Sequence, residues 1–352
     1  MIKDRVAKKI AFLGLRGIPA SYGGFETFVE EIGTRLARQG FDITVYCRKE
    51  HVPREATFYK GIRLIQLPTI RHKYFHSVFH SLISTIHVMF SDCQVVYYCG
   101  TINSVFCFLP RLCLKKTVIN VDGLEWKRKK WGNLGKIVYK ISECLATWLA
   151  SEIICDSKEM AGYYWNKFKK KTHHISYGGS GKRVENTVLL FSKYGLEPRK
   201  YFLYVSRLEP ENNAHLFVKA FEGIKTDMPF IVVGDAPYAR SYVADLHATK
   251  DRRIKFLGYV FGDDYRLLTS HAYIYFHGNE VGGTNPGLVE AMAMRNCIIA
   301  IDGPFNREVI GDTGFFFRPD AIHDLREHID QLMRNSETLI KARDAASERA
   351  QN

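Results

Sequence analysis

With 352 residues, 46% of them apolar and 25% charged, the chain is long enough for two hydrophobic cores and too apolar to be disordered. Its net charge of +13 is lopsided: residues 1–180 hold 28 Lys/Arg against 14 Asp/Glu, and residues 181–352 hold 22 against 23. A basic first half fits an anionic partner, but no zinc-finger spacing or RNA-binding aromatic signature accompanies it, which sets nucleic acid aside and leaves an anionic membrane surface or a diphosphate.

The charged start Met1–Arg5 runs straight into a strand, Lys9–Leu13, with no small-residue cleavage site, so no signal peptide is expected. A glycine loop follows, Gly14-x-x-Gly17 with Gly23 and Gly24. It is not G-x-G-x-x-G, which weakens a dinucleotide-oxidoreductase reading. Arg16 within it is a candidate phosphate clamp. A helix from about Phe25 to Gln39, with Phe28, Ile32 and Leu36 as its apolar stripe, leads to a strand at Asp42–Cys47. Ser77–Phe90 is too short to span a bilayer; Val78, Phe79, Leu82, Ile83, Ile86 and Phe90 recur at helical spacing and predict a core-facing helix. Short apolar runs at Val95–Tyr98, Val118–Val121 and Glu152–Cys155 suit a parallel sheet, with Asp156 or Ser157 capping the next helix. Asp122 stands at the carboxyl end of its strand, where acid–base residues are commonly delivered, and Lys127 opens a basic aromatic segment able to meet an anionic acceptor. Eight cysteines are scattered without C-x-x-C pairs or His-Cys zinc spacing, which predicts buried free thiols and a reduced, cytoplasmic compartment.

Ser176–Gly181 is small, glycine-rich and coincides with the change in charge, so the domains are read as 1–178 and 182–352. Strands at 201–206, 230–233, 254–257, 272–276 and 297–301 alternate with helices at about 213–224 and at 262–270. The α/β class therefore reads as two doubly wound Rossmann-like domains, whose glycine loops are expected to face a cleft. Arg207 in Ser206-Arg207-Leu208-Glu209-Pro210-Glu211-Asn212-Asn213 offers a fork matching diphosphate oxygens, and Glu211 in the same loop is a candidate donor-binding residue. After the strand at 272–276 comes Gly282-Gly283-Thr284-Asn285-Pro286, opening a helix whose free N–H groups and dipole attract phosphate. Glu290, one turn in, is placed to accept hydrogen bonds from sugar hydroxyls. No H-E-x-x-H or D-x-D is present, so no metal is expected, and Arg, Lys and helix N-termini would stabilise a leaving diphosphate.

Four ordered motifs, Gly14–Phe28, Val121–Arg128, Arg207–Asn213 and Gly282–Pro286, resemble the bacterial rhamnosyltransferase-type branch of family 4 glycosyltransferases. The resemblance runs from about residue 8 to about residue 320. It implies a GT-B fold, with acceptor bound by the first domain and nucleotide sugar by the second. It also implies retention of anomeric configuration and a place in capsule, cell-wall or O-antigen assembly. By the same resemblance Glu290 matches the second Glu of the family's E-x7-E motif, which holds the nucleotide ribose. Gly283, Thr284 and Asn285 would lie by the diphosphate and sugar, and Arg207 matches the Arg of an R-x4-K pair. Two departures stand out: Gly282 replaces the first Glu, and Asn212 replaces the Lys, for which Arg16 or Arg307 would compensate. Relatives often finish with a further helix returning to the first domain, which this chain would lack. The resulting expectation is transfer of L-rhamnose from dTDP-rhamnose, with no cofactor, to a lipid-diphosphate-linked saccharide, by an enzyme peripheral to the inner face of the plasma membrane. Trp126, Trp131, Phe75 and Phe79 would touch that membrane. A different nucleotide sugar, a sugar-nucleotide epimerase and a catalytically silent binding protein remain as rivals.

Overall fold

The computed structural model describes residues 8–20, 23–70 and 75–351; Met1–Arg5, Ser21 and Tyr22 of the first glycine loop, and the Phe75 side chain lie outside the described residues. Two compact units follow one another, Met1–Ser176 and Tyr177–Asn352.

In the first unit the strands are β1 (Lys9–Leu13), β2 (Asp42–Arg48), β3 (Phe58–Tyr59), β4 (Ile62–Leu67), β5 (Val95–Cys99), β6 (Lys116–Val121), β7 (Glu152–Cys155) and β8 (His173–His174). They form one sheet in the order β3-β4-β2-β1-β5-β6-β7-β8, parallel except for the β3–β4 hairpin. The helices are α1 (Gly24–Arg38), α2 (Phe75–Met89), α3 (Phe108–Leu112), α4 (Asn133–Leu149) and α5 (Lys158–Phe168). Ser157 caps α5, its Oγ accepting from Met160 N at 3.3 Å. The apolar runs are strands because helices on both faces leave no solvated side, and Phe12, paired with Val45 and Tyr97, sits in the middle of that core.

One helix faces the opposite way from its predicted orientation. α2 buries His80, Ser81, Ser84 and Thr85, while Val78, Phe79, Leu82 and Ile83 are only half-buried and Ile86 and Phe90 are exposed. One member of the inward polar face finds a partner on the sheet, the Thr85 and Tyr98 hydroxyls lying 2.9 Å apart, and at the exposed edge of the helix the Tyr46 hydroxyl lies 2.9 Å from His87 Nδ1. Helical spacing alone marks a face, and the buried tyrosines decide which face turns in.

The second unit holds α6 (Thr187–Tyr194), β9 (Phe202–Val205), α7 (Ala214–Phe221), β10 (Phe230–Val233), α8 (Arg240–His247), β11 (Ile254–Gly258), α9 (Gly262–Ser270), β12 (Ile274–His277), α10 (Pro286–Ala293), β13 (Cys297–Ile301), α11 (Pro304–Ile310), β14 (Phe315–Phe317), α12 (Ile322–Arg334) and α13 (Ser336–Arg349). Its sheet runs β11-β10-β9-β12-β13-β14, with parallel pairing throughout. Phe276 anchors the core, stacked on Phe202 and Phe217 at centroid distances of 5.6 and 5.0 Å and edge-on to Phe230 at 5.3 Å.

Six of the eight cysteines are buried, and Cys113 and Cys144 are exposed. Among the described residues no helix is long and apolar enough to cross a membrane.

Candidate functional site

In each sheet the strand order reverses direction about a central pair, β1 and β5 in the first unit and β9 and β12 in the second. The loops leaving the carboxyl ends of such a pair diverge and leave a crevice.

In the second unit those loops are laced together. The Ser206 hydroxyl donates to Asn279 Oδ1 at 3.1 Å, and Glu280 N donates to Glu211 O at 3.2 Å. Asn213, in the left-handed conformation with φ 57°, donates from Nδ2 to Gly278 O at 2.9 Å and to Glu280 Oε1 at 3.0 Å. Gly278 is demanded by this closeness: a Cβ there would lie 2.2 Å from Asn212 O. Asn306 ties in the loop after β13, its Nδ2 donating to Asn279 O at 3.0 Å. Arg207 stands half-buried on this platform, with Nη1 3.7 Å from Glu209 Oε1, and Glu211 is fully buried beneath it. Asn212, expected from the resemblance to stand in place of a Lys, is buried and donates from Nδ2 to Arg207 O at 2.7 Å, so it fixes the backbone that presents Arg207.

The helix start at α10 differs from its sequence reading. Asn285 Oδ1 accepts from Gly287 N at 2.9 Å and from Leu288 N at 3.2 Å, and Pro286 has no N–H. The first-turn amides expected to receive phosphate are therefore capped by the protein itself, which leaves the helix dipole and the Gly282–Asn285 loop to face an anion. Gly282 has φ 145°, Gly283 is half-buried and Thr284 is buried. Glu290 is engaged too: its carboxylate accepts from both the main-chain N and, at 2.5 Å, the hydroxyl of Ser180, in the glycine-rich stretch expected to be a linker. Gly179 packs so closely on α10 that a Cβ would lie 2.8 Å from Val289 O. Tyr265 is half-buried near Glu290; burial first, and that carboxylate second, raise its phenol. Arg307, considered as a replacement cation, is bound to Asp302 through Nε at 2.5 Å and Nη2 at 2.8 Å. That pairing commits its fork within its own loop.

In the first unit the glycine loop leaves β1 at Gly14, φ 88°, where a Cβ would lie 2.5 Å from Asn103 Nδ2. Gly17 is buried, and Gly23 and Gly24 lead into α1. Glu26, missed by the sequence reading, is buried at the start of α1, and its Oε1 accepts from Arg16 N at 2.9 Å. Arg48 N donates to Arg16 O at 2.8 Å, so the main chain on both sides of Arg16 is held. Asp122 follows β6, before Gly123 at φ 113°, and its charge helps raise the phenols of buried Tyr97 and Tyr164 and of half-buried Tyr139, for which burial is the first cause. Lys127 is exposed in the 3-10 turn Glu125–Lys127, its Nζ 5.7 Å from the centre of the Trp126 ring. Trp126 and Trp131 are half-buried with their indole nitrogens inside, so these rings pack against the unit instead of facing outward. Glu50, His51 and His76 converge closely enough to hold a metal, but His76 already spends Nδ1 on Arg48 at 2.5 Å and Nε2 on Glu50 at 2.7 Å.

The predicted residues thus fall into two groups, Arg16, Gly17, Gly23, Gly24, Asp122 and Lys127 in the first unit and Arg207, Glu211, Gly283, Thr284, Asn285 and Glu290 in the second. Ser180 and Asn279 left no signal in the sequence beyond their neighbours.

Residues 189–352 match the family described as Glycosyl transferases group 1, and residues 7–180 match a domain of unknown function, DUF1972. O-antigen chain mannosyltransferase B of Escherichia coli is 25% identical over 152 residues, which are 42% of this chain and only 40% of that relative's length. Sucrose-phosphate synthase from Thermosynechococcus elongatus superposes with a TM-score of 0.80 at 18% identity, over 98% of this chain and 94% of the other. The Anabaena protein Alr3699/HepE, solved with UDP and glucose, gives a TM-score of 0.79 at 18% identity, over 97% and 94%. The chain has the GT-B fold, and the match to the Glycosyl transferases group 1 family lies in its second unit.

Proposed function

We propose that the chain is a retaining glycosyltransferase that moves L-rhamnose from dTDP-rhamnose to a lipid-diphosphate-linked saccharide in cell-surface polysaccharide synthesis. The second unit takes the nucleotide sugar and the first takes the acceptor, at the inner face of the plasma membrane. One observation carries the reading: Arg207, the Gly282–Asn285 loop and Glu290 are assembled at the switch point of the group 1 domain's sheet. Guanidinium, loop and helix dipole there suit a diphosphate, and a carboxylate one turn in suits a ribose.

The chemistry needs no protein nucleophile. The C1–O bond to the diphosphate breaks, the acceptor oxygen bonds C1 on the same face, and the acceptor's proton passes to the departing phosphate oxygen. Arg207 and the α10 dipole stabilise the leaving charge, Asp122 orients the acceptor hydroxyl and Lys127 meets the acceptor's phosphate. No bound cation enters this scheme, so turnover should survive chelators.

Radiolabelled dTDP-rhamnose, with and without lipid-linked N-acetylglucosamine, tests the proposal. Transfer only with the lipid supports it, conversion without the lipid favours an epimerase, and binding alone favours a silent protein. The E. coli relative favours one specific alternative, a mannosyl donor, so GDP-mannose belongs in the same assay.

A further inference from the structure

The first unit exposes an apolar surface that its own fold does not use. α4 turns its apolar stripe outward and a more polar side inward. Gly135, Tyr139, Ser142, Glu143 and Ala146 turn toward the unit. On the opposite side Leu134, Ile137, Val138, Ile141 and Trp148 follow the spacing of one helix face and are 76, 53, 40, 53 and 77% exposed. Glu143, the single acid of α4, lies on the buried side, where it accepts from the Tyr163 hydroxyl at 2.7 Å and Lys167 at 3.2 Å. No carboxylate interrupts the outer stripe. Its flank carries Lys136 and Lys140, and the segment before the helix adds Lys127, Lys129 and Lys130.

The surface does not stop at α4. Arg111 Nη1 donates to Trp148 O at 3.3 Å and to Leu149 O at 3.0 Å, which brings exposed Leu112 and Leu114 to the end of the helix. α2, inverted as described above, packs on α3 and on the same turn, Thr101–Phe106, that supports α4, and contributes exposed Ile86, with exposed Phe90 just after its end. A solvated polar face would be the ordinary outcome for both helices.

We propose that this face is a docking surface for an anionic bilayer, with the α4 stripe lying in the plane of the headgroup–acyl boundary and the lysines among the headgroups. Apolar side chains in a continuous stripe, lysines along its edge and a tryptophan near its end match that environment, and the excess positive charge of the first half complements its sign. α4 is roughly 25 Å long, and its first turn follows directly on the Asp122–Lys130 segment. A bilayer along α4 therefore delivers headgroup-level chemistry to Asp122, a consequence that rests on the lipid-linked acceptor proposed above.

The test is flotation of the full chain with phosphatidylglycerol-containing vesicles and with phosphatidylcholine vesicles, in the absence of donor and acceptor. The double variant Ile137→Ser/Ile141→Ser should lower partition on the order of a hundredfold. Lys129→Glu/Lys130→Glu should remove the preference for anionic lipid, and Val188→Ser/Phe191→Ser on exposed α6 should change nothing. Circular dichroism checks that each variant folds. In a Cys113→Ser background, exposed Cys144, three residues after Ile141, should lose reactivity to maleimide when phosphatidylglycerol vesicles are added. Partition unchanged by the Ile137/Ile141 variant overturns the proposal, as does equal loss in the α6 control. So does a Cys144 already protected without vesicles in a chain that sediments as a dimer. Because no sugar is transferred in these assays, their failure leaves the transferase reading standing. Failure of transfer by a chain that floats normally removes only that reading.

Discussion

Glu290 offers the sharpest separation of a binding role from a structural one. In Glu290→Gln the side chain keeps its shape but loses its charge and one acceptor oxygen. The remaining oxygen must serve Ser180 N, which can only donate, while the Ser180 hydroxyl can turn round and accept from the new amide. The protein's own hydrogen bonds are thereby nearly preserved, and the structural cost should stay below about 1 kcal/mol. A ribose hydroxyl loses more, because a hydrogen bond to a charged acceptor contributes about 1.5–3 kcal/mol, equivalent to roughly 10–150-fold. The expected result is a fall of that size in kcat/KM for dTDP-rhamnose, with the melting temperature nearly unchanged. Ser180→Ala is the companion: it removes the hydroxyl from the same carboxylate and should leave the donor's kcat/KM within a few-fold. If Glu290→Gln retains wild-type kcat/KM, or if both variants lower melting temperature and activity in parallel, Glu290 is an anchor for the 178–181 segment and holds no nucleotide.

Asp122→Asn should reduce transfer by about 10²–10³ in kcat with little change in donor KM; wild-type turnover would remove Asp122 from the chemistry. Asn285→Ala strips the cap from α10 and should cost about 1 kcal/mol, or about 2–4 °C in the melting temperature of the second unit, read by calorimetry. Burial pushes His277 down to about 3 and, with help from Arg48, His80 down to about 4, so both are neutral in the folded chain, and the unfolded chain binds more protons below its ordinary value of 6.5. Stability should therefore be lost as pH falls from 6.5 toward 4, by up to ~1.4 kcal/mol per pH unit for each imidazole, and denaturant midpoints of His277→Gln should fall less steeply than those of the native chain. Asn212→Lys should lower the melting temperature without improving donor KM, because the ammonium would be buried and the bond to Arg207 O lost.

The strands were legible because a parallel strand covered on both faces reads as an unbroken apolar run, as at Val95–Cys99 and Cys297–Ile301. The motif helix was legible from Asn285-Pro286, a cap and a first-turn proline, although the cap's consequence for the amides was not. α4 carries a single stripe, Leu134, Ile137, Val138, Ile141 and Trp148, that faces out while Ser142 and Glu143 turn in, a direction that helical spacing does not disclose. α2 showed its stripe but not its direction, which depends on Tyr46 and Tyr98 from other elements. The bond from Glu290 to Ser180 spans 110 positions, and no local pattern announces it.

The two departures from the family pattern have a common origin in how the switch-point loops are built. At Gly282 there is room for a side chain, since nothing lies within 4 Å of the place a Cβ would take, yet φ is 145°, a conformation that disfavours any L side chain. At Asn212 the reverse holds: the conformation allows a side chain, but burial and the bond to Arg207 O leave no place for a solvated ammonium. One position excludes Glu by backbone and the other excludes Lys by desolvation, so restoring either residue singly would strain the platform that presents Arg207. The absence of a carboxylate at 282 and of a cation at 212 is therefore built into these loops, and neither substitution alone would be accommodated without cost.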